Sequence, residues 1–163
     1  MTNNEHKLRK ATLDWMLEQA DCYTHAVTLT LKQSRAILTE RGEVREALTK
    51  YNAIANMRHF INRLNAELYG NAAKRYGKSI AILTVLEGEN TGKLLHYHCA
   101  IGKLPDRLSD KAIEGSIRGA WLQTGFGNEQ MHIQRMQTNG WLSYMGKEIV
   151  RGDCDVLDWE NVH

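Results

Sequence analysis

The chain has 163 residues, 42% of them hydrophobic and 25% charged, with a single proline, a composition that excludes collagen-like, low-complexity and disordered classes and points to one domain over 1–163. No apolar run reaches the ~18 residues that a membrane-spanning helix needs, and the start, Met-Thr-Asn-Asn-Glu-His-Lys, lacks the apolar core of a signal peptide, so a cytoplasmic location with no membrane partner is expected. Twenty-one Lys and Arg against 19 Asp and Glu leave a net charge of +2, which does not by itself announce a nucleic-acid binder, although a local basic face matters more than the sum.

Residues 3–20 read as an amphipathic helix with Leu8, Ala11 and Trp15 on one stripe, widened by Leu13, Met16 and Leu17. Residues 25–32 alternate Val27, Leu29 and Leu31 against Ala26, Thr28 and Thr30, a half-buried strand. The pattern over 43–69 predicts a long helix whose seam is Ile54, Met57, Ile61, Leu64 and Leu68, stopped by Gly70. Residues 79–87 are apolar on both faces and rich in branched side chains, an inner strand. Turn chemistry at 88–93 joins it to a strand over 94–101, making a hairpin. A helix over 109–123 with Ile113, Ile117, Ala120 and Trp121 inward, a strand over 129–136 and a closing helix over 139–150 complete the chain. Cys22, Cys99 and Cys154 form no C-x-x-C pair, so reduced structural cysteines are expected.

The order β-α-β-β-α-β predicts an α+β, ferredoxin-like or RRM-like antiparallel sheet in the strand order 4-1-3-2. Helices would cover one face, with a further helix at the N-terminus and a C-terminal helix carrying Tyr144. The other face would be open.

His96 and His98 are two apart on a strand and project from the same face. With seven histidines, roughly 0.3 His-x-His pairs arise by chance, so the pair needs support. Glu87 ends the neighbouring strand. With the turn centred on Asn90-Thr91, it lies opposite Leu94 and shares a face with His96. Two imidazoles and a carboxylate suit a divalent ion such as Mn or Mg. Zinc fits less well, because Cys99 points away from the pair. Thr28 and Thr30 flank the histidines on the other side. Tyr144 and Lys147 are three apart on a helix and share a face. A tyrosine hydroxyl has a pKa near ~10, and a neighbouring ammonium favours its phenolate.

Three signatures thus stand in order: Ala26-Val-Thr-Leu-Thr-Leu31, Glu87 with His96-Tyr-His98, and Tyr144-x-x-Lys147. Over residues 25–150 the chain resembles the HUH endonuclease superfamily, in its single-tyrosine, rolling-circle replication-initiator branch. The resemblance implies a metal-dependent single-stranded DNA nickase and ligase that starts replication of a plasmid, phage or related mobile element. By the same resemblance His96, His98 and Glu87 would hold a divalent ion, Mn or Mg. Tyr144 would be the nucleophile that forms a 5′-phosphotyrosine bond, and Lys147 would position it or a phosphate. Candidate DNA contacts are Thr28, Thr30, Arg35, His132 and Arg135. The chain has no GxxxxGK[ST] P-loop, so a separate helicase and replication machinery are expected as partners at the origin. Lys7, Arg9 and Lys10 on the first helix are further basic residues that can meet DNA. A single-tyrosine HUH transposase is the nearest alternative. A non-catalytic single-strand binder is the other, disfavoured because the histidine strand offers only Tyr97, on the covered face, for stacking bases.

Overall fold

The computed structural model describes residues 2–163. It is α+β. Helix α1 (Asn3–Glu18) leads into β1 (His25–Leu31), the hairpin β2 (Ser34–Thr39) and β3 (Gly42–Ala47), and the long helix α2 (Lys50–Tyr69). The short α3 (Asn71–Tyr76), β4 (Ala81–Glu87), β5 (His96–Gly102), α4 (Asp110–Leu122) and β6 (Gly127–Arg135) follow. The chain ends in α5 (Gly140–Met145), α6 (Lys147–Arg151) and two single 3₁₀ turns. Strands β4, β5, β1 and β6, in that spatial order, form one antiparallel sheet. Setting the β2–β3 hairpin aside, the order is compatible with a ferredoxin-like arrangement. Among the described residues no helix is long and apolar enough to cross a membrane.

Helices α2 and α4 pack on one face. Their seam (Met57, Phe60, Ile61, Leu64, Ile117 and Trp121) lies against Val27, Leu29, Ile82, Tyr97, Cys99 and Ile101, as the heptad-like spacing requires. Trp121 also donates its Nε1–H to the Thr30 carbonyl at 3.0 Å, tying the helix to β1.

Several boundaries depart from the sequence pattern, each for a physical reason. The helix expected from 43 begins at Lys50, because the capping box of Thr49 and Asn52 closes its first turn and Gly42–Ala47 pairs with Ser34–Thr39 instead. The stripe of α1 is rotated. Thr12 and Met16 are buried and Leu13 and Trp15 half-buried, whereas Leu8 is exposed. The helix expected over 139–150 is broken at Gly146 into α5 and α6. A Cβ there would stand 2.5 Å from the Leu13 Cδ2, so α1 is docked where that glycine leaves room. The strand read as an inner one is an edge, with both its faces covered. Its free side is capped by the chain's last residues: Leu157 bridges Val85, and His163 exchanges two backbone hydrogen bonds with Ile82 at 2.7 and 2.9 Å.

The face opposite α2 and α4 is only half open. Over β4 and β5 it carries a second core in which Met16, Leu142, Met145, Ile149, Val156 and Leu157 bury Leu83, Val85 and Ala100. Over β1 and β6 it is bare: Gln130, His132 and Gln134 are exposed and Thr28 and Thr30 half-buried. A wall thus stands beside a polar ledge, and the histidine strand runs along their boundary.

Candidate active site

The turn between β4 and β5 is wider than the sequence pattern implies, and Glu87 pairs directly with His96 rather than with Leu94. Gly88 makes this possible. Its φ is +119°, and a Cβ would lie 2.6 Å from the Leu94 carbonyl oxygen, so the position takes only glycine. Directly opposed residues share a face, so Glu87, His96 and His98 converge. Glu87 Oε2 lies 3.7 Å from the His96 Nε2 and 3.6 Å from the His98 Nε2.

The other ring nitrogens are already engaged. His96 Nδ1 is 2.8 Å from the Leu94 carbonyl, which only accepts, so Nδ1 carries the hydrogen and the neutral ring keeps its lone pair on Nε2. The Thr28 hydroxyl lies 3.0 Å from the His98 Nδ1 and can accept its hydrogen in the same way. Both rings are thereby oriented as metal-binding histidines are by an outer hydrogen bond. Thr28 and Thr30 pair with His98 and His96 across the sheet, and Thr30 donates to the Gln130 carbonyl.

The three side chains offer ligand atoms all within 4.8 Å of one another and can hold a metal ion. Two observations test the fit. His98 Nε2 and Glu87 Oε1 are buried and have no hydrogen-bond partner. A buried polar atom left unsatisfied costs about 1–3 kcal/mol, and a cation between these groups removes that cost. Their charge states also agree. Burial would lift the Glu87 carboxyl, but His98 and Lys147 beside it outweigh burial and hold its pKa down to about 2. Burial lowers the His96 pKa, chiefly against the pull of the Leu94 carbonyl, and keeps that ring neutral.

The wall brings the tyrosine to this group. Its ring lies edge-on to His98, with centroids 5.2 Å apart, and nearly half of the residue is exposed. Lys147 Nζ sits 3.7 Å from the centroid of the same ring and 2.9 Å from Glu87 Oε2. Burial would lower the Lys147 pKa, but Tyr144 and Glu87 raise it further, so the ammonium stays charged. The break at Gly146 does not separate the pair, because α6 starts at Lys147 on the same side of the wall.

Trp141 belongs to the site and was not singled out by sequence reasoning. Its ring stacks on Tyr144 at 5.4 Å and 22°, meets His98 edge-on, and donates Nε1–H to the Cys99 carbonyl at 2.9 Å. The signal was present in the spacing Trp141-x-x-Tyr144-x-x-Lys147, which repeats every three residues along one face.

The remaining candidates lie around this centre. His132 pairs with Thr28 on β6 and stands exposed on the ledge. Arg35 lies on the hairpin, where it pairs with Glu46 at 2.6 Å and covers the Phe126 ring at 4.6 Å. Arg135 belongs to the helix-covered face. It pairs across the sheet with His25, and its guanidinium meets Asp110 of α4 at 2.7 Å. On α1, Lys10 pairs with Asp14, and Arg9 reaches the Val150 carbonyl. The three cysteines are free thiols. No protein-family model, curated protein or solved structure matches the chain.

Proposed function

We propose that the protein is a single-tyrosine HUH endonuclease with a ferredoxin-like, RRM-like core, which nicks and rejoins single-stranded DNA to start rolling-circle replication of a mobile element in the cytoplasm. The observation that carries this reading is the meeting of two groups distant in sequence. A tyrosine under an ammonium stands against a histidine of a Glu-His-His cluster with ion-binding geometry.

The chain's own residues suggest the roles. Glu87, His96 and His98 would hold Mn or Mg, whose bound charge supplies Lewis-acid neutralisation of a phosphate oxygen. The ledge over β1 and β6 is where a strand lies, with Thr28, Thr30 and His132 along it. Tyr144 is nearly half exposed, so solvent can take its proton during attack, and the Lys147 ammonium lies over its ring. The Tyr144 oxygen attacks phosphorus as its proton passes to solvent, the bond to the 3′-oxygen breaks, and that oxygen takes up a proton to become a free 3′-OH. A 5′-phosphotyrosine bond remains. One phosphodiester replaces another, so the step runs in both directions, and the same residues rejoin the strand. Unwinding is left to a helicase partner.

The test is incubation with single-stranded DNA and Mn, followed by denaturing gel electrophoresis. A covalent protein–DNA adduct is expected, absent when EDTA replaces Mn. Binding without an adduct or cleavage would instead favour a non-catalytic single-strand binder.

A further inference from the structure

Beside Tyr144, between the wall and the end of β6, lies an open cleft of about 340 Å³ whose lining includes neither Lys147 nor Glu87. The Trp141–Tyr144 stack lines it, Ala26 and Met136 are small or apolar contributors, and Gln134 and Gln137 stand at the rim. Three features define what it takes. The aromatic wall is held in place, since the Trp141 Nε1–H is bonded to the Cys99 carbonyl. The two rim amides are exposed and have no hydrogen-bond partner among the described residues, so each presents a free donor and a free acceptor. The cleft offers no uncommitted charge, because Arg135, the one charged residue in its lining, carries its guanidinium to Asp110 on the helix-covered face. A phosphate therefore finds nothing there, whereas a neutral planar group with donors and acceptors on its edge finds both a stacking surface and amides to read it.

We propose that this cleft holds one nucleobase of the bound strand, the base next to the scissile phosphate, and that Gln134 and Gln137 set which base is accepted. The proposal rests on the nickase reading and makes it more specific. With the phosphate at Tyr144 beside the Glu-His-His cluster and a base in the adjoining cleft against the Trp141–Tyr144 pair, the two parts of one nucleotide lie on neighbouring surfaces. The amides then act as specificity-determining contacts, outside the reacting atoms.

The experiment uses the full chain, Mn and a pool of random-sequence single-stranded oligonucleotides. Both the DNA attached to protein and the released 3′-OH strands are sequenced. The wild-type protein is expected to favour one base at a position flanking the junction by on the order of tenfold or more, the discrimination that a well-placed amide contact supplies. Gln134→Ala and Gln137→Ala, both at exposed positions that fold without the amide, are expected to flatten the preference at that position and leave the others unchanged. Adducts whose base preferences are the same in wild type and both variants overturn the cleft assignment while leaving the nickase reading intact. A loss spread evenly over all positions overturns it too, since it marks general weakening of DNA binding. No adduct with the wild-type protein overturns both.

Discussion

Under the nickase reading, Tyr144 and Lys147 would make separable contributions, because only Tyr144 would form a bond. Tyr144→Phe removes an oxygen and keeps the ring that stacks on Trp141 and meets His98. The adduct is expected to vanish while DNA binding and thermal stability hold, and peptide mapping of wild-type adduct should locate the nucleotide on Tyr144. Attachment to another tyrosine would overturn the assignment. Lys147→Ala is expected to slow adduct formation without abolishing it. The pH behaviour of the cluster has a defined sign. The His96 pKa is lowered from 6.5 in the folded chain, so its neutral form is the favoured one. That contribution to stability is fully present above 6.5 and is lost as pH falls through the lower folded value. In the metal-free protein, an NMR titration of the His96 ring should therefore show a midpoint below 6.5; a midpoint above it would contradict the buried, neutral ring. Glu87 follows the same sign in a lower pH window. Its depressed pKa contributes stability that is present above the ordinary carboxyl range and lost as pH falls towards about 2. Glu87→Gln removes that dependence, leaves the Lys147 ammonium without its partner, and should weaken Mn binding measured by calorimetry.

At the scale of elements, α2 and the β2–β3 hairpin are opposites. Helix α2 lays Met57, Phe60, Ile61 and Leu64 on the sheet, so Ile61→Ala should cost about 2–5 kcal/mol in urea unfolding. The hairpin carries Leu38 and Val44 into solvent, and Leu38→Thr or Val44→Thr should change stability by less than about 0.5 kcal/mol. This contrast also explains which elements were legible beforehand. The α2 seam and the alternation of β1 are imposed by burial, and burial leaves a period in the sequence. Residues 42–47 bury almost nothing, and Glu43, Arg45, Glu46 and Ala47 are as much at home in a helix, so only pairing with 34–39 makes them a strand. The histidine pair and the tyrosine were legible because their spacing alone decides which side chains share a face. The register that sets Glu87 against His96 was not, since it depends on the path of a loop that opens at Gly88. Trp141 was hidden for a related reason, because its role depends on where α5 docks.

For the whole molecule, the cover over β4 and β5 was the least legible feature. Its parts come from both ends of the chain: α1, α5, α6 and the final turns. Val156 and Leu157 are an apolar signal, but no local pattern says that they cover a sheet edge. The result is asymmetric, with a wall on one half of the sheet and bare strand surface on the other. Such a site is a shelf with one side missing, where a tunnel would be enclosed all round. A polymer enters a tunnel only by an end, whereas it can be laid on a shelf anywhere along its length. Under the nickase reading, a covalently closed single-stranded circle should be cut about as fast as a linear strand with the same target sequence, in side-by-side time courses. The opened circle would stay tethered by its 5′ end, and its 3′-OH would be free to swing clear of the shelf to a polymerase and later return sideways for rejoining.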